Sequence, residues 1–200
     1  MISFVFYIWI LITALVAASC AFSLLQPFWI LHPDGIHSFG VYIYCKGSEL
    51  GDAGSLLTTR MCSFYGGQLS VVNIPSGAWQ ATFLLFSTGC AILLASLVLG
   101  LAGMFMATRW LRRLSCAMTY IQTSAVLILT SALIAYPLGM TSPFFRYYCG
   151  PTAEVYNAGQ CSMGWSYMLA IMGTALSIFC PILWNLRDFK SEHDDYPFNL

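Results

Sequence analysis

The sequence predicts an all-α membrane protein: a bundle of four transmembrane helices that carries a small antiparallel β-sheet on its extracellular side. Hydrophobic residues make up 58% of the 200 residues and charged residues only 8%, whereas soluble domains contain about 25% charged residues. Four apolar runs are long enough to cross a bilayer as helices, which takes about 20 residues. The formal net charge is zero, so nothing indicates nucleic acid as a partner. Membrane lipid is the first partner that the composition implies.

The four predicted spans form a single domain over residues 1–200. They cover residues 2–25, 83–108, 114–136 and 164–184, and none contains Asp, Glu, Lys, Arg or His. The first span has no basic segment before it, and it exceeds the roughly 7–15 apolar residues of a signal peptide. We therefore expect it to be a retained helix rather than a cleaved signal.

Basic residues indicate the orientation of the spans. They cluster at the link between the second and third spans and after the fourth span. They are Arg109, Arg112, Arg113, Arg187 and Lys190. Because such clusters stay in the cytosol, we expect both termini and the tail at 185–200 to be cytoplasmic. The loops at 26–82 and 137–163 are then extracellular, and the plasma membrane is the expected location.

The eight cysteines divide between the spans and the loops. Four lie within or beside the spans, where cysteine acts as a small hydrophobic residue. These are Cys20, Cys90, Cys116 and Cys180. The first loop holds Cys45 and Cys62, and the second holds Cys149 and Cys161. Four cysteines in an oxidising compartment allow three pairings, of which we favour the two within-loop disulfides, each worth about 3 kcal/mol in the entropic model.

Redox, metal and catalytic alternatives are weaker. The loop cysteines do not form the Cys-x-x-Cys pair typical of redox enzymes, and the second loop has no histidine for a zinc site. In the first loop His32 and His37 flank Asp34. A metal site is one interpretation there, and a hydrated histidine pair is the one we favour. No nucleophile stands with a base at either interface, so we expect no catalytic residue, no metal and no cofactor.

The first loop is too long for an unstructured connection and contains three β-rich runs. They cover residues 38–45, 60–66 and 68–74. We expect them to form the antiparallel sheet, with the second loop adding a strand or packing beneath it. Trp29, Trp79 and Trp165 lie where spans meet the outer interface, so we favour an aromatic belt; a Trp29 wedged into the sheet is the alternative.

Small residues mark faces of the second and fourth spans at which helices can approach closely. Gly100 and Gly103 belong to the second span, and Gly173 and Ser177 to the fourth. Packing within the bundle is the default interpretation, and a partner's transmembrane helix is the alternative. Gln122 in the third span has no ionisable neighbour, so we expect an interhelical hydrogen bond rather than an ion pathway.

Several short motifs resemble one family. They are QPFWI (26–30), FGVYIYC (39–45), IPSGAW (74–79), YPLG (136–139), and CG followed by VYNAGQCSMGWSYMLAI (149–171). With the four spans and the two cysteines of the first loop, they place the chain near the claudin-like superfamily. They resemble most specifically the LHFPL (lipoma HMGIC fusion partner-like) tetraspan family, over nearly the whole chain. Met140 departs from the pattern, since family members usually have Trp there.

The resemblance implies structural roles for the motif residues. They are Pro27, Trp29, Gly40, Pro75, Trp79, Pro137, Gly139, Gly150, Gly159 and Trp165. It also implies a non-enzymatic function, because some relatives associate with ion channels and receptors and support their assembly, trafficking or coupling. The expected role is that of an auxiliary subunit or scaffold for an ion channel, receptor or adhesion protein. The alternative is self-association at cell contacts, as in claudins.

Overall fold

A computed structural model describes residues 4–48, 59–103 and 108–186, and the side chains of 48, 59 and 108–116 are not part of that description. Its helices are α1 (Phe4–Leu25), α2 (Gly77–Ala102), α3 (Thr108–Ala135), α4 (Pro143–Cys149) and α5 (Trp165–Ser177). After a turn at Ile178 the last helix continues to residue 186. Residues 187–200 of the predicted tail at 185–200 lie outside the described residues.

Four helices are long and apolar enough to cross a membrane, which confirms the predicted four-helix membrane fold. The candidate spans are Phe4–Leu25, Gly77–Ala102, Ala117–Thr141 and Trp165–Leu186. Because the chain reverses direction after each span, α1 and α3 end on the side from which α2 and α5 begin. We call this side the sheet end, because the strands lie there.

Helix α2 begins at Gly77, whereas the sequence predicted the second span from residue 83. The prediction began the span at the first long apolar run, which starts after Gln80. It therefore left out the first turn of the helix, which contains this polar residue. In the structure Ser76 has an extended backbone, and its carbonyl accepts from the Gln80 N–H at 2.9 Å. The Gln80 side chain donates to the Ile74 carbonyl at 3.0 Å. A polar residue is therefore accommodated in the first helical turn.

The bundle is held together by close approaches at small residues. A Cβ added at any of three glycines would lie within 2.4–2.7 Å of a side chain on a neighbouring helix, closer than real Cβ contacts. The contacts are Gly89 with Leu129, Gly100 with Trp9, and Gly173 with Ser19. They join α2 to α3, α2 to α1, and α5 to α1.

The small-residue faces are thus occupied by the chain itself. Gly100 lies against the Trp9 ring and Gly173 against Ser19 and Cys20. Ser177 is fully buried, and its hydroxyl donates to the Thr174 carbonyl at 2.5 Å. Gly103, the residue after α2, is buried as well. These positions therefore leave no room for a partner's helix.

Gln122 provides a polar link at the centre of the bundle. The side chain is fully buried. Its amide oxygen accepts from the Trp9 indole N–H at 3.2 Å, and its amide nitrogen donates to the Cys180 carbonyl at 3.1 Å. Cys180 precedes Pro181, which has no N–H to continue the helical hydrogen bonds, and the helix is interrupted at Ile178. One side chain of α3 thereby contacts α1 and the last helix.

The sheet is five-stranded and antiparallel, in the order β4-β3-β2-β1-β5. The strands are β1 (Ile30–Leu31), β2 (Ser38–Phe39), β3 (Ile43–Ser48), β4 (Thr59–Phe64) and β5 (Ser162–Met163). The first four come from the loop between α1 and α2, and β5 comes from the segment before α5. The small antiparallel sheet predicted from the sequence is therefore confirmed.

The third predicted β-run, residues 68–74, is not a strand. Its central residues Val71–Asn73 form a 3-10 turn. The reason lies just before the run, where Gly66 and Gly67 have φ of +70° and +79°. This left-handed conformation favours glycine and turns the chain away from the sheet. Pro75 follows and has no N–H to donate to a neighbouring strand.

Replacement of Gly100 by Ala should destabilise the bundle. The new Cβ would lie 2.4 Å from the Trp9 ring, and Trp9 is fully buried. Overpacking of this kind costs about 1–3 kcal/mol, more than the roughly 1 kcal/mol gained in helix propensity. The apparent melting temperature of the detergent-purified protein should fall.

The matched control is Gly77→Ala, because a Cβ at Gly77 meets nothing within 4 Å. This control should keep or raise the melting temperature. Equal stability of the two variants would contradict the packing described for Gly100.

Candidate functional site at the sheet end

The first disulfide joins neighbouring strands. Cys45 of β3 and Cys62 of β4 are directly opposite in the register, with their Cα atoms 4.0 Å apart. Cys45 is fully buried, while Cys62 lies on the exposed side of β4. The bond therefore fixes the pairing of the two strands at one margin of the sheet.

The second disulfide joins Cys149, the last residue of α4, to Cys161, which precedes β5. Two glycines of the predicted motif make this possible. Gly150 ends α4 with φ +91°, and Gly159 has φ +63°. A Cβ at Gly159 would lie 2.5 Å from the Cys149 carbonyl oxygen. The loop closes tightly only because glycine occupies that position.

Trp29 lies under the sheet, where it is fully buried. Its indole N–H donates to the Ser23 carbonyl at 2.8 Å, near the end of α1. Its ring contacts Phe86, Tyr136 and Tyr167, with centroid distances of 5.5, 4.8 and 5.5 Å. This single side chain therefore joins all four spans beneath the sheet.

Trp79 links the motifs IPSGAW and YPLG. It is fully buried, and its indole N–H donates to the Tyr136 carbonyl at 3.2 Å. A Cβ at Gly139 would lie 2.4 Å from the Trp79 ring. Pro137 is the second residue of the 3-10 turn Tyr136–Thr141, which carries Gly139 past this ring. The next residue, Met140, is fully buried where the family usually has Trp.

Two further glycines allow the sheet to approach the bundle. A Cβ at Gly40 would lie 2.8 Å from the Gln26 carbonyl oxygen and 2.9 Å from Pro27 Cα. A Cβ at Gly164 would lie 1.9 Å from the Phe28 carbonyl oxygen. The Gly164 N–H donates to the Trp29 carbonyl at 2.8 Å. Glycine is needed at both positions because the atoms in contact belong to the backbone.

Tyr65 is buried where the sheet meets the bundle. Its hydroxyl donates to the Gly40 carbonyl at 3.2 Å. Burial, with a smaller contribution from Tyr44 and Tyr148, raises the pKa of Tyr65 well above its ordinary value. The hydroxyl therefore remains a hydrogen-bond donor over the whole physiological pH range.

The aromatic-belt interpretation is wrong for Trp29 and Trp79, since both are buried inside the protein. It fits Trp165, which is 46% exposed and contacts the rings of Phe22 and Phe28. Hydropathy could not separate these cases, because a tryptophan beside a span suits either an interface or a core. The packing of the loops over the bundle decided between them.

His32, Asp34 and His37 lie in the connection between β1 and β2. Asp34 Oδ1 accepts from the Ile36 and His37 N–H groups at 2.8 and 3.0 Å. Desolvation raises the pKa of Asp34, but the hydrogen bonds from the His37 N–H, the His37 ring, the Ile36 N–H and the His32 ring outweigh it and hold the pKa below its ordinary range. The carboxylate is therefore charged and fixed in position.

Sequence reasoning missed α4 and its contact with the sheet. Ser142 is the N-cap, its hydroxyl accepting from the Phe145 N–H at 3.3 Å, and Pro143 follows at the first helical position. Ser followed by Pro is a known helix-start signal, so the helix was detectable. Its packing was not, because the ring contacts of Phe144 with Phe39 and Tyr65 join segments far apart in the chain.

Four membrane-spanning helices beneath a disulfide-bonded antiparallel sheet define a tetraspan membrane protein with a claudin-like fold. The chain belongs to the lipoma HMGIC fusion partner-like family, whose family model matches residues 5–186. It is 27% identical to the LHFPL tetraspan subfamily member 7 protein of Xenopus tropicalis over 96% of both chains. It is 28% identical to the subfamily member 4 protein of Bos taurus, over 94% of this chain and 78% of the relative.

Trp29→Phe should lower the stability of the protein. The change removes the indole hydrogen bond to the buried Ser23 carbonyl, which still accepts from the Gln26 N–H at 3.3 Å. The loss costs about 0.5–1.5 kcal/mol, and the smaller ring opens a cavity among three aromatic rings. The measurement is the apparent melting temperature in detergent.

Trp165→Phe is the control, because Trp165 is partly exposed and donates no hydrogen bond that the structure describes. It should change the melting temperature far less. A larger loss for Trp165→Phe than for Trp29→Phe would refute the role assigned to Trp29.

Proposed function

We propose that this protein is a non-enzymatic auxiliary subunit or scaffold of the plasma membrane. It binds a partner ion channel or receptor and supports its assembly or trafficking. The observation that carries this proposal is a difference between two exposed helix faces. One is suited to lipid, and the other has the pattern of a helix-packing surface.

The exposed face of α1 consists of aliphatic and aromatic residues, without Ser or Thr among its exposed residues. Its exposed large residues are Phe4, Tyr7, Leu11, Leu15, Phe22 and Leu25. Lipid tails are themselves apolar, so a face of this kind suits the bilayer without a partner. The exposed face of α1 is therefore the reference with which we compare the exposed face of α3.

The exposed face of α3 repeats every seven residues. Tyr120, Leu127 and Ile134 are 77%, 65% and 57% exposed, and exposed hydroxyl residues stand between them. These are Thr123, Ser124, Thr130 and Ser131. Phe4, Leu11 and Leu25 of α1 show the same spacing, so the hydroxyl residues are what distinguish the two faces. We call these seven residues the α3 outer face.

The hydroxyls of this face can accept hydrogen bonds from a partner. Each donates to a carbonyl of its own helix, for example Thr130 to Val126 and Ser131 to Leu127, both at 2.8 Å. The donors are therefore satisfied in lipid, while oxygen lone pairs stay free. Small hydroxyl residues also permit close helix approach. The glycine faces of α2 and α5 are already filled, whereas the α3 outer face is exposed and can be packed against by a partner helix.

The state of the cysteines and the composition of the membrane spans support the proposal of a non-enzymatic role. The loop cysteines are closed in disulfides. Within the described ranges, the other candidate thiols Cys20, Cys90 and Cys180 are buried in the bundle. The membrane spans contain no ionisable Asp, Glu, Lys, Arg or His, which is unlike proteins that move ions or protons.

Photo-crosslinking from the α3 outer face tests the proposal. A photoreactive amino acid at Leu127 or Thr130 should give a discrete cross-linked product with one membrane protein in cells that express the chain. The same group at Leu11 or Leu15 of α1 should give none. A product of twice the chain's own mass would support self-association instead, and equal products from both helices would contradict the assignment of the face.

The double variant Thr130→Leu/Ser131→Leu should weaken recovery of that partner. Two interhelical hydrogen bonds at about 0.6 kcal/mol each correspond to roughly eightfold in affinity. Quantitative co-purification in mild detergent measures the effect. Leu11→Ala/Leu15→Ala on α1 is the control, and recovery there should match the wild type.

We further propose that the sheet end faces the extracellular side and that both termini are cytoplasmic. Two disulfides at the sheet end are typical of an oxidising compartment. The dense basic residues, such as Arg112 and Arg113, lie toward the opposite end, as expected for the cytoplasmic side.

Antibody labelling of intact cells tests this orientation. An epitope inserted after Gly51 should be labelled without permeabilisation, because residue 51 lies between β3 and β4 in the sequence. An epitope after Leu200 should be labelled only after permeabilisation. The reverse pattern would show that the orientation is inverted.

A further inference from the structure

The connection between β1 and β2 holds two histidines opposite each other. The His32 N–H donates to the His37 carbonyl at 3.1 Å, and the Gly35 N–H donates to the His32 carbonyl at 3.1 Å. Gly35 has φ +67°, which allows the tight turn. The backbone therefore places both imidazoles at the base of a short hairpin before any ligand is present.

Asp34 completes a set of three metal-ligating side chains. Its Oδ1 is held by the Ile36 and His37 N–H groups. Its Oδ2 lies 3.1 Å from His32 Nδ1 and is in direct contact with His37 Nδ1. One ligand atom from each of the three residues lies within 4.8 Å of the others. The turn thus uses one carboxylate oxygen and directs the other toward the two imidazoles.

We propose that His32, Asp34 and His37 bind a divalent cation of the Zn²⁺ type. A carboxylate oxygen and an unprotonated imidazole nitrogen repel each other unless a proton or a cation lies between them. A neutral imidazole can donate one ring N–H to the carboxylate, and a single cation between the three residues would replace these hydrogen bonds. One ligand atom from each residue lies within 4.8 Å of the others, so small side-chain rotations would place all three around one cation.

The donor set selects the metal. Zn²⁺ accepts imidazole nitrogen and carboxylate oxygen at about 2.0–2.2 Å, and three protein ligands leave a fourth position for water or another ligand. Ca²⁺ and Mg²⁺ require mainly oxygen ligands, of which this cluster offers one carboxylate. The hydrogen bonds to Asp34 Oδ1 orient the ligand as second-shell contacts do in zinc proteins.

Neighbouring groups set the expected strength of binding. The thiolates that Zn²⁺ would prefer are absent at the sheet end, because Cys45, Cys62, Cys149 and Cys161 are in disulfides. Arg60 reaches the same turn, where its guanidinium donates to the Gly35 carbonyl. Its positive charge opposes a cation and limits the affinity. Within the described residues, no ion pair joins Arg60 to Asp34.

Isothermal titration of the full-length, non-reduced protein with zinc chloride tests the site. Chelator-treated wild type should bind one Zn²⁺ at this cluster. His32→Gln/His37→Gln should weaken that binding more than about 100-fold, because it removes two direct ligands and the loss of second-shell partners alone costs about 10- to 100-fold. Asp34→Asn should weaken it too, although its amide oxygen can still accept from the Ile36 and His37 N–H groups. All variants must elute as the wild type does in size-exclusion chromatography.

His193→Gln is the matched control, because His193 is the remaining histidine of the chain. It should leave the site's affinity unchanged. Wild type that takes up no zinc at the highest concentration at which it stays monodisperse would overturn the proposal. Zinc binding that is undiminished in His32→Gln/His37→Gln would overturn it as well, because the ion would then lie elsewhere.

X-ray absorption of the zinc-loaded protein gives a readout that misfolding cannot imitate. The spectrum should show imidazole scattering and nitrogen or oxygen neighbours at about 2.0–2.1 Å. Sulfur neighbours at about 2.3 Å would assign the metal to cysteines and refute the site. Calcium chloride in large excess should not displace the zinc, and displacement would refute the choice of metal.

Discussion

The buried indole of Trp29 is the interaction on which the architecture depends. Its N–H is paired with the Ser23 carbonyl, and its ring lies among Phe86, Tyr136 and Tyr167. The residue immediately precedes β1. The position of the first strand is therefore fixed relative to all the spans by one side chain. A loop of this length would otherwise have to order itself at a large cost in conformational entropy.

The rest of the sheet end follows from that anchor. The Cys45–Cys62 bond holds one margin of the sheet, and the Cys149–Cys161 bond holds the segment that leads to the other. Between them Gly164 lets β5 meet the backbone at Phe28. The motif glycines and tryptophans, although far apart in the sequence, are thus parts of one junction between the sheet and the bundle. Rigidity there would present any recognition surface at little entropic cost.

The structure also separates two kinds of small-residue surface that look alike in sequence. Gly100 and Gly173 are filled by Trp9 and Ser19, so they stabilise the bundle itself. Thr130 and Ser131 are exposed on α3. Both kinds satisfy the same pattern of small residues spaced along a helix. Only the identity of the facing helix distinguishes internal packing from a surface that a partner can use.

The sequence by itself determined the four spans, the small sheet and the family, because long apolar runs and motifs with fixed spacing are local properties. Ser142 and Pro143 show that even α4 was detectable from local signals. The tertiary structure alone decided that Trp79 is buried, that residues 68–74 are not a strand, and that the two histidines converge on Asp34. These outcomes depend on which segments far apart in the sequence come into contact, and the hydropathy of a segment does not specify such contacts.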